Sequence, residues 1–175
     1  MAALLSDRRC GRQLAWLVAC ALLTTSCTSA SYQEAAMKAS DEGDQKAAIG
    51  LARKEVARFA TPDECSRTTS KNCGTLALAY SSLAGYQILA GDKAAAESSF
   101  GSAKGALEWT DRGDRPSATA MVYRDVSEAF WKMGDRTRAI AVFNEGRAAG
   151  GDGWLYLGSA AKAAGHAPAG SPGGP

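Results

Sequence analysis

Few residues in this chain can do chemistry. The one histidine, His166, stands at the edge of APAGSPGGP, a Pro- and Gly-rich run that does little to hold an imidazole in place. A general base must be positioned before it can act, so His166 is a poor candidate. Asp125 and Glu128 stand three apart, a spacing that turns two carboxylates to one side of a helix. Two carboxylates at helical spacing read first as a solvated face rather than an acid–base pair. The sequence contains no nucleophile elbow, no phosphate-binding loop and no H-E-x-x-H. Cys65 and Cys73 flank SRTTSKN. That spacing is too wide for a C-x-x-C redox pair, and no His or further Cys lies nearby to complete a zinc set. In an oxidising compartment the two cysteines form a disulfide, closing a loop that stabilises by about 2–3 kcal/mol in the chain-entropy model. Nothing here points to an enzyme, a cofactor or a metal.

The elements around these residues are helical. Residues 76–107, LALAYSSLAGYQILAGDKAAAESSFGSAKGAL, read as two amphipathic helices broken once at Gly91-Asp92. Tyr80, Leu83 and Ala84 share one face of the first helix. Ala96, Phe100 and Ala103 share one face of the second. Glycine suits the left-handed residue that ends a helix, and aspartate bonds the free N–H groups that start the next. The same punctuation recurs at Gly43-Asp44 and Gly134-Asp135. Aligned on the glycine, Tyr32, Tyr80 and Tyr123 stand eleven before it. Ala48, Ala96 and Ala139 stand five after it, and Ala52, Phe100 and Phe143 nine after it. A fourth copy opens at Trp154-Leu155-Tyr156-Leu157-Gly158, with room for a first helix only. The apolar content is dominated by alanine, and no segment reads as a strand.

This register resembles the tetratricopeptide repeat, a helix–turn–helix of about 34 residues with a W-x2-L-G-x2-Y … A-x3-F pattern. Trp154, Leu157 and Gly158 match its opening, and Ala96 with Phe100, and Ala139 with Phe143, match its second helix. The spacing departs from the family: the turn glycines lie 48 and 43 positions apart. The excess sits in DECSRTTSKNC and DRGDRPSAT, read as insertions between hairpins. The resemblance implies an all-α fold: a short right-handed α-solenoid of three hairpins plus a C-terminal capping helix.

Residues 1–26 read as an export signal. Arg8, Arg9 and Arg12 precede the apolar run LAWLVACALL, which is too short to span a membrane. The run ends in LLTTSC, which looks like a bacterial lipoprotein signal with Cys27 as the lipid-accepting residue, although Thr24 stands where leucine is usual. Cleavage after Ala30, giving a soluble secreted chain, is the alternative. Residues 27–31 then form a tether, 32–165 the repeat domain, and 166–175 a disordered tail. Thr28 is not the aspartate linked to inner-membrane retention in such lipoproteins, which favours the outer membrane. Three of the 20 Lys and Arg and one of the 18 Asp and Glu fall in the signal, leaving 17 of each. That balance offers no footprint for nucleic acid.

What remains is a surface. In the repeat family, the first helices of successive hairpins line a concave groove. Carried over by register, the groove positions are Gln33 and Met37, then Ser81, Gly85 and Ile88, then Arg124, Glu128 and Trp131, then Leu155. The resemblance implies a non-catalytic interaction module or scaffold at the bacterial cell envelope, on its periplasmic side. Its partner would be an envelope protein or peptide segment. A periplasmic ligand- or peptide-binding sensory protein is the second reading. An open polar groove favours the first, and a closed apolar pocket near Trp131 the second.

Overall fold

The computed structural model describes residues 31–166. Cys27, the rest of the leader and residues 167–175 lie outside the described residues. Every regular element described is helical: α1 (Tyr32–Asp41), α2 (Gln45–Phe59), α3 (Cys73–Leu89), α4 (Lys93–Glu108), α5 (Arg115–Lys132), α6 (Arg136–Ala148), a 3-10 turn (Gly153–Leu157) and α7 (Ser159–Ala163). The protein is all-α over this range.

The three Gly-Asp dipeptides build the same turn. Gly43, Gly91 and Gly134 have φ of 86°, 80° and 82°, a region that side chains with a Cβ rarely enter. The N–H of Asp44, Asp92 and Asp135 then reaches back to the carbonyls of Ala39, Gln87 and Phe130, at 2.9, 2.9 and 3.0 Å. Each aspartate carboxylate accepts from the backbone N–H three residues on, in Ala47, Ala95 and Arg138, at 2.9, 3.1 and 3.0 Å. One dipeptide thus satisfies the end of one helix and the start of the next.

The hairpins α1–α2, α3–α4 and α5–α6 follow one another: α2 packs on α3, α3 on α5, and the 3-10 turn on α5. The repeated positions meet inside. Ala48, Ala96 and Ala139 are buried, as are Ala52, Phe100 and Phe143. Phe100 sets its ring edge-on to Tyr123 of the following hairpin, with centroids 5.2 Å apart. Phe143 does the same to Tyr156 of the 3-10 turn, at 5.7 Å. Within the third hairpin the helices approach so closely that a Cβ on Gly146 would lie 2.6 Å from the Cβ of Tyr123. The first helix is fastened by Glu55, a buried carboxylate that accepts from the Tyr32 N–H at 3.0 Å and the Ser31 hydroxyl at 3.3 Å, and pairs with Arg58 at 3.1 Å.

Both insertions lie between hairpins and touch each other. Cys65 and Cys73 are disulfide-bonded, with Cα atoms 4.9 Å apart. From the loop this closes, Ser70 donates to Asp111 at 2.8 Å, and the Arg67 guanidinium lies 4.7 Å over the Trp109 ring. Arg115 donates to the carbonyls of Glu108 and Thr110 at 3.0 and 2.8 Å, covering the C-terminal end of α4.

The C-terminal segment differs from the single capping helix expected. Gly158 is extended, at φ −73° and ψ 161°, and divides the 3-10 turn from α7. The cause is Glu128, whose carboxylate accepts from both the N–H and the hydroxyl of Ser159 and so starts a new helix there. Trp154 and Leu157, the expected opening residues of a fourth unit, are 53% and 44% exposed. His166, expected to belong to the tail, instead packs beside Phe143 and Tyr156, with centroids 5.5 and 6.1 Å away. Its Nε2 lies 3.1 Å from Arg147 Nη1 and must be the acceptor, because a guanidinium only donates.

Each phenylalanine fills a joint between consecutive units. Phe100→Ala and Phe143→Ala should each cost about 3–5 kcal/mol in thermal or denaturant unfolding. Variants that melt like the parent protein would show that these joints do not hold the stack.

Candidate functional site

A cleft of about 250 Å³ opens between α1, α3 and α5, the first helices of the three hairpins. Its lining follows the repeat. Six positions before the turn glycines stand Met37, Gly85 and Glu128; two before stand Asp41, Leu89 and Lys132. Gln33 and Ser81, ten before, also line it, as do Ser40, Ser82, Tyr86, Asp125 and Ala129. Gly85 on α3 faces the methyl of Ala129 on α5, where an added Cβ would sit at 3.7 Å. These small residues let the two helices draw close and form the cleft floor.

Five of the groove residues expected from the sequence are among the lining residues: Gln33, Met37, Ser81, Gly85 and Glu128. Four are not. Ile88 is buried in the core, and Leu155 is buried beneath the 3-10 turn, so neither can meet a partner. Arg124 lies beside the cleft, its side chain against Gly158 and its guanidinium 3.6 Å from Asp125. Trp131 packs against the core under Arg136, whose guanidinium lies 3.7 Å over the indole and donates to the Trp131 carbonyl at 2.6 Å. The error has a simple origin. Ile88 and Trp131 stand three before the turn glycine, whereas α3 and α5 line the cleft at nine, six, five and two before it, and only α1 lines it at three, through Ser40. One residue is 100° of helical turn, enough to carry a side chain from the groove into the core.

Asp125 is the residue that sequence reasoning undervalued. It was expected on a solvated face, and its side chain is 35% exposed, half-buried among the residues that line the cleft. Burial pushes its carboxyl up to about 6, and the neighbouring Glu128 adds to the rise. Arg124 and the Ser81 hydroxyl act in the opposite direction. The hydroxyl's help is small, because its single proton goes to the Leu78 carbonyl at 2.9 Å. The Tyr86 phenol is raised by burial and then by the charges of Asp125 and Asp41. Glu128, by contrast, is engaged with Ser159.

Among the described residues no three His, Cys, Asp or Glu side chains are disposed to hold a metal ion. No helix described is long and apolar enough to cross a membrane. Comparison with protein-family models, with curated proteins and with solved structures gave no match.

A carboxyl whose folded pKa lies near 6 and whose ordinary value is 3.8 binds more protons folded than unfolded between those values. The folded state therefore loses stability as pH rises through that window. Asp125→Asn removes the ionised group. It should raise stability above pH 6 by about 1–2 kcal/mol, a figure reduced for solvent screening of a partly exposed side chain. The gain should disappear as pH falls toward 4. Melts of parent and variant across this range check it, and a gain of equal size at both ends would contradict the assignment.

Proposed function

We propose that this chain is a non-catalytic protein–protein interaction module: a short right-handed solenoid of tetratricopeptide-like hairpins carried at the bacterial cell envelope by a lipid on Cys27. The observation that carries the reading is the cleft itself. It is built at equivalent positions of three hairpins that share one turn geometry, which is how a repeat stack generates a concave binding surface. The disulfide between Cys65 and Cys73 supports an oxidising compartment, in keeping with export. The sensory-protein alternative asked for a closed apolar pocket beside Trp131. The cleft leaves Trp131 elsewhere and carries Asp41, Asp125, Glu128 and Lys132 on a surface that is otherwise more apolar than polar, so the absence of Trp131 and the presence of these charges are what favour the interaction module.

One capture experiment tests both halves. The tagged full-length chain is expressed in a lipoprotein-processing bacterium and cross-linked, and its neighbours are recovered from the membrane fraction. Met37 is 55% exposed on the cleft wall, so Met37→Arg should leave the fold intact while blocking the cleft. It should reduce recovery of the specific partner about tenfold, the effect of losing a single hot-spot contact. Cys27→Ser should move the protein to the soluble periplasmic fraction. Undiminished capture by the Met37 variant would overturn the cleft reading, and unchanged fractionation without detectable lipid would overturn the anchor.

A further inference from the structure

We infer that the cleft receives a lysine or arginine side chain presented by an extended segment of the partner protein. The aliphatic stem would lie along Met37 and Leu89, and the charged head would sit between Asp41 and Asp125. The inference rests on the interaction-module reading and names the chemistry of its partner.

Charge is the first argument. Three carboxylates, from α1 and α5, line the cleft against the one ammonium of Lys132; Glu128 is already bound to Ser159, which leaves Asp41 and Asp125 to receive a partner. Among the described residues Asp41 belongs to no ion pair, and Asp125 is approached only by Arg124, at 3.6 Å, longer than a charge-assisted hydrogen bond. An anionic segment would be repelled. A purely apolar one would bury Asp125 further without giving it a partner. Shape is the second argument. The carboxylates share the cleft with the apolar surfaces of Met37, Leu89 and Ala129. A compact cation uses none of that surface, and the described carboxylates are not disposed as a metal cluster. A long side chain with an apolar stem and a charged tip uses both. A volume of about 250 Å³ suits one such side chain.

Recognition is then coupled to protons. The groups facing Asp125 are Arg124 and Glu128 on its own helix, Ser81 and the Tyr86 phenol from α3, and Asp41 from α1, with Lys132 one turn beyond Glu128. A bound cation favours the ionised carboxyl, so binding should strengthen as pH rises through about 6 and should release protons below that value.

The test is an amide NMR titration of the full chain with three probes: N-acetyl-lysine methylamide, its uncharged analogue N-acetyl-norleucine methylamide, and N-acetyl-glutamate methylamide. The lysine probe should shift Ser82, Gly85, Asp125 and Lys132 saturably at pH 7.5. Its binding should be about fivefold tighter than that of norleucine, the scale of one partly exposed ion pair. Glutamate should leave these amides unmoved. The lysine preference should fall at pH 5 and be lost in Asp125→Asn. Equal shifts from lysine and norleucine would overturn the inference while leaving the cleft as a binding surface. Absence of lysine-induced shifts would overturn it too, and the Met37→Arg capture result then decides separately whether the cleft binds a partner at all.

Discussion

Each hairpin turns on a glycine near φ +80° followed by an aspartate that points both ways. Its N–H closes the helix behind it, and its carboxylate opens the helix ahead. A helix end leaves four backbone groups without partners, and most proteins spend several residues satisfying them. Here two suffice, so the two helices of a hairpin have no slack between them. Their relative register is set to within a fraction of a turn. Because this happens three times with the same geometry, the first helices present equivalent residues to the same side. The cleft follows from that constraint rather than from any one contact within it.

The core obeys the same economy of size. Alanines at the repeated positions let helices approach closely, and the larger side chains are kept for the joints between units, where Phe100 meets Tyr123 and Phe143 meets Tyr156. Gly146 marks the tightest approach, against the Tyr123 side chain. Both insertions fall between hairpins, where extra length does not disturb register, and they brace one another through Ser70 with Asp111 and Arg67 with Trp109.

What could be read from residues alone was the part set by local chemistry. The Gly-Asp turns, the six long helices, the buried alanines and the Cys65–Cys73 bond all follow from rules acting over a few positions. The cleft was legible at Gln33, Met37, Ser81, Gly85 and Glu128, because positions ten and six before the turn share a helix face, and it was lost at Arg124, also ten before, because that side chain turns to Asp125 and Gly158. It was lost at Ile88 and Trp131, because helix crossing decides whether the next residue on the face is three or four further along, and no local signal reports crossing. Leu155 and His166 were misplaced for a related reason. The long-range bond from Glu128 to Ser159 ends the 3-10 turn and starts α7, bringing the C-terminal residues onto the core. Asp125 was undervalued because spacing shows which way a carboxylate points, not what lies opposite.

The first hairpin breaks the pattern in one respect: Ala52 stands where the others place Phe100 and Phe143. Its joint to α3 is filled instead by Val56 and Phe59, half-buried against the core, while Glu55 ties the start of α1 to α2. The consequence is a joint made by half-buried side chains where the later joints bury a phenylalanine. One wall of the cleft, with Gln33, Met37, Ser40 and Asp41, rides on the first hairpin. A change that loosened this joint would therefore displace one wall of the cleft while leaving the walls on α3 and α5 in place.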